Sequence, residues 1–213
     1  MAISSAEPLI PIGLTPFNRM VKRGFDVLAA VTGLCLVWWI ITLAYVAAAI
    51  DTGQSGFFLQ DRVGRNGRLF KIIKIRTMRD RPLLSTTVTR AGDPRVTALG
   101  GFFRRTKIDE LPQLINVLLG QMSIVGPRPD VPGFADQLSG ADRIILSVRP
   151  GLTGPATLQF RREEVILAAQ PNPEAYNREV IFPQKVKVNR AYVESYSFWA
   201  DLQVIVRTVC YRD

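Results

Sequence analysis

Residues 104–130 read RRTKIDELPQLINVLLGQMSIVGPRPD, and the fold we predict is built outward from this stretch. Apolar residues recur in it at helical spacing and predict a short helix with one apolar face. They are Leu111, Leu114, Ile115, Leu118 and Leu119. Gly120 then ends the pattern in the position that favours a left-handed residue. Asp109 and Glu110 therefore lie before or within the first turn of this helix.

Two interpretations of Asp109 and Glu110 are open. In the first, they only stabilise the helix start, because Asp is a favoured N-cap and acidic residues suit the positive end of the helix dipole. The run from Thr106 to Asp109 resembles a capping box, with Asp in place of Glu. In the second, the two acids are functional, because cations surround them in the sequence: Arg104, Arg105, Lys107 and Arg128.

The turn formed by Pro127, Arg128 and Pro129 favours the second interpretation. Proline fixes its own φ and keeps the preceding residue extended, so the backbone positions Arg128. A fixed guanidinium suits phosphate oxygens, which it can bind with two parallel hydrogen bonds. Carboxylates beside a phosphate need a hard divalent cation, usually Mg²⁺. This combination suits phosphoryl transfer, in which one carboxylate holds the metal and the other attacks phosphorus.

Further cations lie in short motifs elsewhere in the chain. Lys74 and Arg76 come at the end of a strand-like run. They could bind substrate, or they could instead belong to a solvated surface that faces lipid. Arg95 precedes a helix predicted from about Val96 to Arg105, where backbone N–H groups also attract phosphate. Arg149 stands ahead of a Pro-Gly turn, and it could equally be part of an ordinary exposed turn.

Composition restricts the chemistry. The chain of 213 residues contains no histidine, which excludes a Ser-His-Asp triad and zinc held by histidine. A formal net charge of +9 points to an anionic partner such as lipid headgroups or nucleotide phosphates. The basic residues are not interleaved with aromatic residues that could stack on bases, so we do not expect a nucleic acid partner.

One segment is suited to a membrane. Val27 to Ile50 is 24 residues without a charge, long enough to span a bilayer as a helix. Basic residues flank it on both sides, so the positive-inside rule places both flanks on the cytoplasmic side. We therefore predict a flexible tail at residues 1–20, a membrane-inserted helix at 21–51 and a catalytic domain at 52–213.

Two regions complete the prediction. Phe57–Val63 and Leu69–Ile75 are strand-like runs around Asn66-Gly67, which is typical of a β-hairpin. From Ser197 onward, a helical pattern predicts one apolar face, either in the core or in the headgroup region of a membrane. The residues of that face are Phe198, Leu202, Ile205 and Val209.

Four motifs in order resemble the bacterial sugar transferases, the monotopic phosphoglycosyl transferases. They are KIRTM at 74–78, DPRVTALG at 93–100, DELPQLINVLLGQMSIVGPRP at 109–129 and RPGLTGPA at 149–156. The resemblance extends from Lys22 to Trp199. It implies an α+β fold: a mainly helical catalytic domain with a small β-hairpin, an N-terminal re-entrant membrane helix and amphipathic interfacial helices. The family usually breaks the membrane helix with a Ser-Pro pair, and this chain has Trp38-Trp39 at those positions. We consider Thr32-Gly33 as the pair that could break the helix instead.

The resemblance also implies a reaction. Asp109 would attack the β-phosphate of a nucleotide sugar of the UDP-sugar class and release UMP; polyprenyl (undecaprenyl) phosphate would then accept the sugar phosphate. Glu110 would hold Mg²⁺ with Asp109 close enough to share it. The phosphate-binding and positioning residues would be Arg128, Arg149, Arg95, Lys74, Arg76, Pro127 and Pro129. The implied location is the bacterial inner (cytoplasmic) membrane, with the catalytic domain on the cytoplasmic face.

Two alternatives stay open from the sequence. One is a membrane-attached glycosyltransferase that transfers the sugar alone and releases UDP. The other is a basic module without enzyme activity that binds anionic lipid; it would need neither Asp109 nor Glu110.

Overall fold

The computed structural model describes residues 15–79 and 92–210. The helices are α1 (Pro16–Thr52), α2 (Ala98–Thr106), α3 (Gln113–Leu118), α4 (Pro155–Gln159), α5 (Glu163–Ala168), α6 (Pro173–Tyr176), α7 (Phe182–Glu194) and α8 (Phe198–Cys210). The strands are β1 (Phe57–Val63), β2 (Leu69–Ile75), β3 (Ser123–Val125) and β4 (Gly151–Thr153). Short 3₁₀ segments include Ile108–Glu110 and Gly140–Ser147, and a π-helical turn at Asn177–Ile181 joins α6 to α7. The prediction of a mainly helical α+β protein is confirmed.

The predicted β-hairpin is confirmed at both strand boundaries. β1 and β2 pair antiparallel, with Phe57 opposite Ile75 and Val63 opposite Leu69. The connection needs left-handed backbone at Asn66 (φ 60°) and Gly67 (φ 76°), which are the residue types that adopt this conformation most easily. Ile72 and Ile75 of β2 are buried, whereas the Lys74 side chain between them extends toward another segment of the chain.

β3 and β4 form a second, smaller sheet. They pair in parallel, with Ser123 opposite Gly151. Beside them lies the largest group of buried apolar side chains, contributed mainly by the 3₁₀ segment at 140–147 and by α7 and α8. This core supports the Pro127-Arg128-Pro129 turn, which follows β3 directly.

Helix α1 lies along the domain with one face packed and the other exposed. Its buried residues include Ala30, Ile41, Ala44 and Ala48. The exposed face carries large apolar side chains that are 42–80 % exposed: Leu28, Val31, Leu36, Trp38, Trp39, Leu43, Val46 and Ile50. Among the described residues α1 is the one helix long and apolar enough to cross a membrane.

The helix starts and continues differently from the prediction. α1 begins at Pro16, with Thr15 as its N-cap, so residues 16–20 belong to the helix rather than to a tail. It is not interrupted at Thr32–Gly33, so the break expected there is wrong. Gly33 instead allows close packing, since a Cβ there would meet Leu114 Cδ1 at 3.0 Å. The re-entrant path through a membrane stays a prediction.

One predicted buried face needs correction. On α3, Leu114 is buried as predicted, but Leu118 and Leu119 are exposed, because the helix is only six residues long and its other buried residues are Gln113, Asn116 and Val117. Periodicity indicated the helix, but tertiary contacts determine which side is buried. On α8, for which the sequence left the core and the headgroup region open, Phe198, Leu202 and Ile205 are half-buried and Val209 is exposed.

Candidate active site

Asp109 and Glu110 lie in the 3₁₀ turn Ile108–Glu110, between α2 and α3. Lys107 makes the bend, with a left-handed φ of 60° that ends α2 and starts this turn. The N-cap interpretation is wrong, because α3 begins at Gln113 behind Pro112 and has no side-chain cap. Thr106 Oγ donates back to the Phe102 carbonyl, so no capping box forms. The two acids are therefore placed by the chain without serving to cap a helix.

Glu110 is held by two cations. Its Oε1 accepts from Arg128 Nη2 at 2.6 Å and from Lys74 Nζ at 3.3 Å, while Arg128 Nη1 lies 3.4 Å from Oε2. Burial alone would raise the pKa of Glu110, but the charges of Arg128 and Lys74 outweigh burial and hold that pKa well below its usual range. The two cations therefore favour the ionised form of Glu110.

Asp109 has the opposite environment. The residue is 8 % exposed, and its Oδ1 has no hydrogen-bond partner among the described residues. Burial and, second, the adjacent Glu110 charge raise the pKa of Asp109, although Lys74 and Lys107 partly offset this. Two neighbouring carboxyl groups thus have pKa values that are pushed in opposite directions, which is how acidic pairs in active sites divide their roles.

The Pro127-Arg128-Pro129 turn is fixed from both sides. Gly151 N donates to the Pro127 carbonyl at 2.8 Å, and Arg62 Nη1 donates to the Pro129 carbonyl at 3.1 Å. Both prolines are buried. The guanidinium of Arg128 is consequently presented by a rigid turn, as the sequence predicts, but it points at Glu110.

Three residues that sequence reasoning missed support this arrangement. Asn116 joins α3 to β2: its Nδ2 donates to the Lys71 carbonyl and its Oδ1 accepts from Ile73 N. Gln113 is 1 % exposed, and its Nε2 has no acceptor within residues 15–79 and 92–210. Burial and the nearby Arg128 charge lower the pKa of Arg62 to about 10. The sequence contained a signal for Gln113 and Asn116, because these polar residues interrupt an apolar run, three and six positions after Glu110.

The other predicted site residues bind groups outside the acidic pair. Arg95 is bound to Asp93, with Nε–Oδ1 and Nη2–Oδ2 distances of 3.0 and 2.7 Å. Arg76 donates to the backbone carbonyls of Ser55 and Phe57. Arg149 donates to the Gly120 carbonyl, beyond the far end of α3. Lys74 and Arg128 are the predicted site residues whose contacts with Glu110 the described part of the chain shows.

This geometry is accompanied by a match to a known family. The family model for bacterial sugar transferase matches residues 17–211. The chain belongs to the bacterial sugar transferase family. The resemblance predicted from the sequence motifs is confirmed.

Relatives within the bacterial sugar transferase family indicate the class of reaction. An exopolysaccharide production protein, ExoY, of Rhizobium meliloti is 33 % identical over 210 residues, covering 91 % of this chain and 86 % of the relative. A UDP-glucose:undecaprenyl-phosphate glucose-1-phosphate transferase of Escherichia coli is 33 % identical over 210 residues, covering 95 % of this chain and 43 % of the relative. A UDP-N-acetylgalactosamine-undecaprenyl-phosphate N-acetylgalactosaminephosphotransferase of Aeromonas hydrophila is 32 % identical over 199 residues, covering 92 % and 44 %. The chain is an enzyme, a transferase of phosphate-containing groups.

Asp130 follows the Pro-Arg-Pro turn of this sugar transferase, and the pKa of its carboxyl group leads to a testable prediction. Burial raises its pKa to about 6, against the opposing charges of Lys185 and Arg62. The folded protein therefore favours the protonated form, and stability is lost as pH rises from about 4, the unfolded pKa, to about 6. We expect Asp130→Asn to be more stable than wild type at pH 7.5, by at most about 3 kcal/mol, with a gain about a third as large at pH 4.5.

Chemical unfolding of both proteins at the two pH values measures this difference. Asp61→Asn, which removes an exposed carboxylate that pairs with Lys71, is the matched control. A gain for Asp130→Asn that is equal at pH 4.5 and pH 7.5 would show that Asp130 is not the titrating group.

Proposed function

We propose that this protein transfers a sugar-1-phosphate from a nucleotide diphosphate sugar of the UDP-sugar class to polyprenyl phosphate, through a covalent intermediate on Asp109. One observation supports this most: of two adjacent buried carboxylates, Glu110 is neutralised by Arg128 and Lys74, while Asp109 Oδ1 has no partner among the described residues. Only Asp109 is thus available to act as a nucleophile.

In the first step, a carboxylate oxygen of Asp109 attacks the β-phosphorus of the nucleotide sugar. A bond forms between that oxygen and phosphorus, and the bond from the β-phosphorus to the oxygen that bridges the two phosphates breaks. UMP leaves with the electron pair, and the sugar-1-phosphate stays on Asp109 as an acyl phosphate. Low exposure of Asp109 limits attack by water on this intermediate.

In the second step, a phosphate oxygen of the polyprenyl phosphate attacks the same phosphorus. The bond between phosphorus and the Asp109 oxygen breaks, and the carboxylate is restored. The product is a sugar joined to the lipid through a diphosphate. Two successive displacements suit a small domain, because the water-soluble donor and the lipid acceptor need not be bound together.

The cations of the site have a shared electrostatic role. Lys74 and Arg128 hold Glu110 in one position, and Arg62 fixes the turn that carries Arg128. Their positive charges also lie where negative charge accumulates on the transferring phosphate, and such fixed charges stabilise a transition state most when little water is present. We therefore propose that Arg128 and Lys74 face the transferred phosphate.

The acidic pair also suits a magnesium ion. Asp109 Oδ1 is an orphaned buried oxygen, and Glu110 Oε2 has only one long contact, so these two oxygens would hold the ion. Three or more acidic or cysteine side chains do not group together anywhere in the described part of the chain, so the substrate's phosphates would complete the coordination, as is usual for Mg²⁺. When bound, Mg²⁺ supplies a positive charge that neutralises phosphate oxygens.

Contacts at both ends of α1 support a placement on one side of the membrane. Near its start, Lys22 forms a salt bridge with Asp201 at 2.5 Å. Near its end, Arg79 Nη2 donates to the Asp51 carbonyl at 2.6 Å, and Ala48 packs with Ile75 and Phe103. Since both ends touch the same polar body, we propose that α1 inserts its exposed apolar face into the cytoplasmic leaflet of the bacterial inner membrane, which also offers anionic lipids.

The product tests the proposal. The full-length protein in detergent micelles is supplied with a UDP-sugar, polyprenyl phosphate and Mg²⁺, and the released nucleotide is identified. We expect UMP in an amount equal to the lipid product. Release of UDP would instead establish a glycosyltransferase, and lipid binding without any nucleotide product would favour a module without enzyme activity.

A further inference from the structure

Two arginines meet at the end of α3 that faces away from the acidic pair. Arg149 Nε donates to the Gly120 carbonyl at 2.8 Å, and Arg23 donates to the carbonyls of Val117 and Leu118 at 2.7 and 2.9 Å. A Cβ placed on Gly120 would lie 3.4 Å from Arg23 Nη2 and 4.0 Å from Arg149 Nε. The two guanidinium groups therefore converge on one point of the surface.

A third arginine makes this group strongly positive. Arg65, in the β1–β2 connection, is close enough that its charge, after burial and that of Arg23, helps to lower the pKa of Arg149. Its Nε is buried and has no hydrogen-bond partner in the described residues. We call Arg23, Arg65 and Arg149 the arginine cluster.

Arg149 has little opposing charge within the part of the chain that the structure describes. The acidic group that acts on it is Asp26, whose Oδ1 already accepts from Ser123 Oγ and Ile124 N. The carboxyl end of a helix carries only about half a negative charge, which cannot offset three guanidinium groups. A partly buried excess of positive charge of this kind fits an anion.

The surroundings of the arginine cluster are apolar. Leu118 and Leu119, whose backbone adjoins Gly120, are 39 % and 64 % exposed. Exposed leucines beside fixed arginines suit a molecule that has an anionic head and apolar tails. A soluble anion would gain nothing from these side chains.

The cluster is also remote from the proposed chemistry. Ten residues of mainly helical chain separate Glu110 from Gly120, which corresponds to roughly 15 Å at a rise of 1.5 Å per residue. A phosphate held at Gly120 is therefore not the phosphate that Asp109 would attack.

We propose that the arginine cluster binds the headgroup phosphate of an anionic membrane phospholipid, with its acyl chains along Leu118 and Leu119. This site goes beyond the proposed transfer reaction and does not depend on it. A bound lipid would attach the far end of α3, and with it the start of α1, to the membrane surface.

The test uses the full-length protein in micelles of a non-ionic detergent. Phosphatidylglycerol is titrated into the micelles, and the melting temperature is followed, since a ligand that binds only the folded state raises it in a saturable way. Diacylglycerol with the same acyl chains tests the tails without the phosphate, and inorganic phosphate tests the phosphate without the tails. We expect saturation with phosphatidylglycerol, no shift with diacylglycerol, and a shift with inorganic phosphate only at concentrations at least about tenfold higher.

Variants locate the site. Arg149→Gln and Arg65→Gln should each raise the phosphatidylglycerol concentration at half-maximal shift about fivefold, the effect of one basic residue near an anionic surface. Arg65→Gln protects the test against a folding defect, because Arg65 Nε makes no hydrogen bond with the described residues. Arg143→Gln, which removes an exposed charge outside the arginine cluster, is the matched control and should change the midpoint less than about twofold.

Two results would overturn the proposal. If Arg143→Gln weakens the lipid effect as much as Arg149→Gln and Arg65→Gln do, the attraction is a property of net charge and not of this site. If inorganic phosphate acts at the same concentration as phosphatidylglycerol, the cluster is a site for free phosphate. Neither result bears on whether UMP is the product of the enzyme.

Discussion

Asp109→Asn is expected to abolish the covalent intermediate and to reduce turnover at least about a thousandfold, because the nucleophile is lost. Asparagine has nearly the same shape, but its amide oxygen cannot form a stable acyl phosphate. The site should otherwise persist, since the Asp109 Oδ1 atom makes no hydrogen bond with the described residues that the substitution could break. The pKa of Asp109 is raised, so its replacement by a neutral group should not destabilise the fold.

The measurement is a single-turnover experiment with a UDP-sugar that is radiolabelled in the sugar and without lipid acceptor. Wild type should retain label after denaturation and release an equal amount of UMP, whereas Asp109→Asn should do neither. Asp61→Asn is the matched control, because it also replaces one Asp by Asn but at an exposed site on β1. Equal labelling of wild type and Asp109→Asn would place the covalent bond on another residue or remove it from the mechanism.

Glu110→Gln is expected to destabilise the fold as well as to impair turnover. The substitution leaves Arg128 and Lys74 facing a neutral amide, and removal of one partner of a fully buried ion pair costs about 3–5 kcal/mol. Because the Arg128 side chain is 39 % exposed, solvent screening reduces this cost to roughly 1–3 kcal/mol. For a chain of this size the melting temperature should fall by roughly 5 °C. Turnover should also lose its normal dependence on Mg²⁺, because one of the two carboxylates proposed to hold the ion is gone.

Thermal unfolding and the magnesium dependence of the rate are measured on the same preparations, well below the melting temperature of the variant. Glu194→Gln is the matched control, since Glu194 pairs with Arg190 on an exposed helix surface and such pairs contribute little to stability. An unchanged magnesium dependence in Glu110→Gln would remove the proposed metal-binding role. An unchanged melting temperature would show that the ion pairs with Arg128 and Lys74 do not stabilise the fold.

Local sequence signals predicted those elements whose formation depends on nearby residues. The hairpin follows from two apolar runs around Asn66 and Gly67, because these residue types adopt the left-handed backbone that the connection needs. Gly120 has the predicted left-handed conformation just after α3. The rigid presentation of Arg128 follows from the two prolines that enclose it, since proline restricts backbone dihedrals whatever the fold.

The buried faces of the helices and the partners of the arginines could not be predicted in the same way. Periodicity placed Leu118 and Leu119 in the core, but α3 ends too early and its buried side is chosen by β2, to which Asn116 binds. The resemblance grouped the arginines of all four motifs around the acids as phosphate-binding residues. The fold instead pairs Arg95 with Asp93 and places Arg149 at the opposite end of α3.

The sequence by itself determined the family, the apolar helix at the start of the chain and the adjacent acids that the motif supplies, because these depend on residue type and spacing. Only the tertiary structure decided the surroundings of each acid. Asp109 and Glu110 are neighbours in one turn with the same charge, and local sequence does not show which of them is paired. Lys74 arrives from β2 and Arg128 from the turn after β3, and both bind Glu110, so contacts between residues distant in sequence pair Glu110, whereas Asp109 Oδ1 has no hydrogen-bond partner among the described residues.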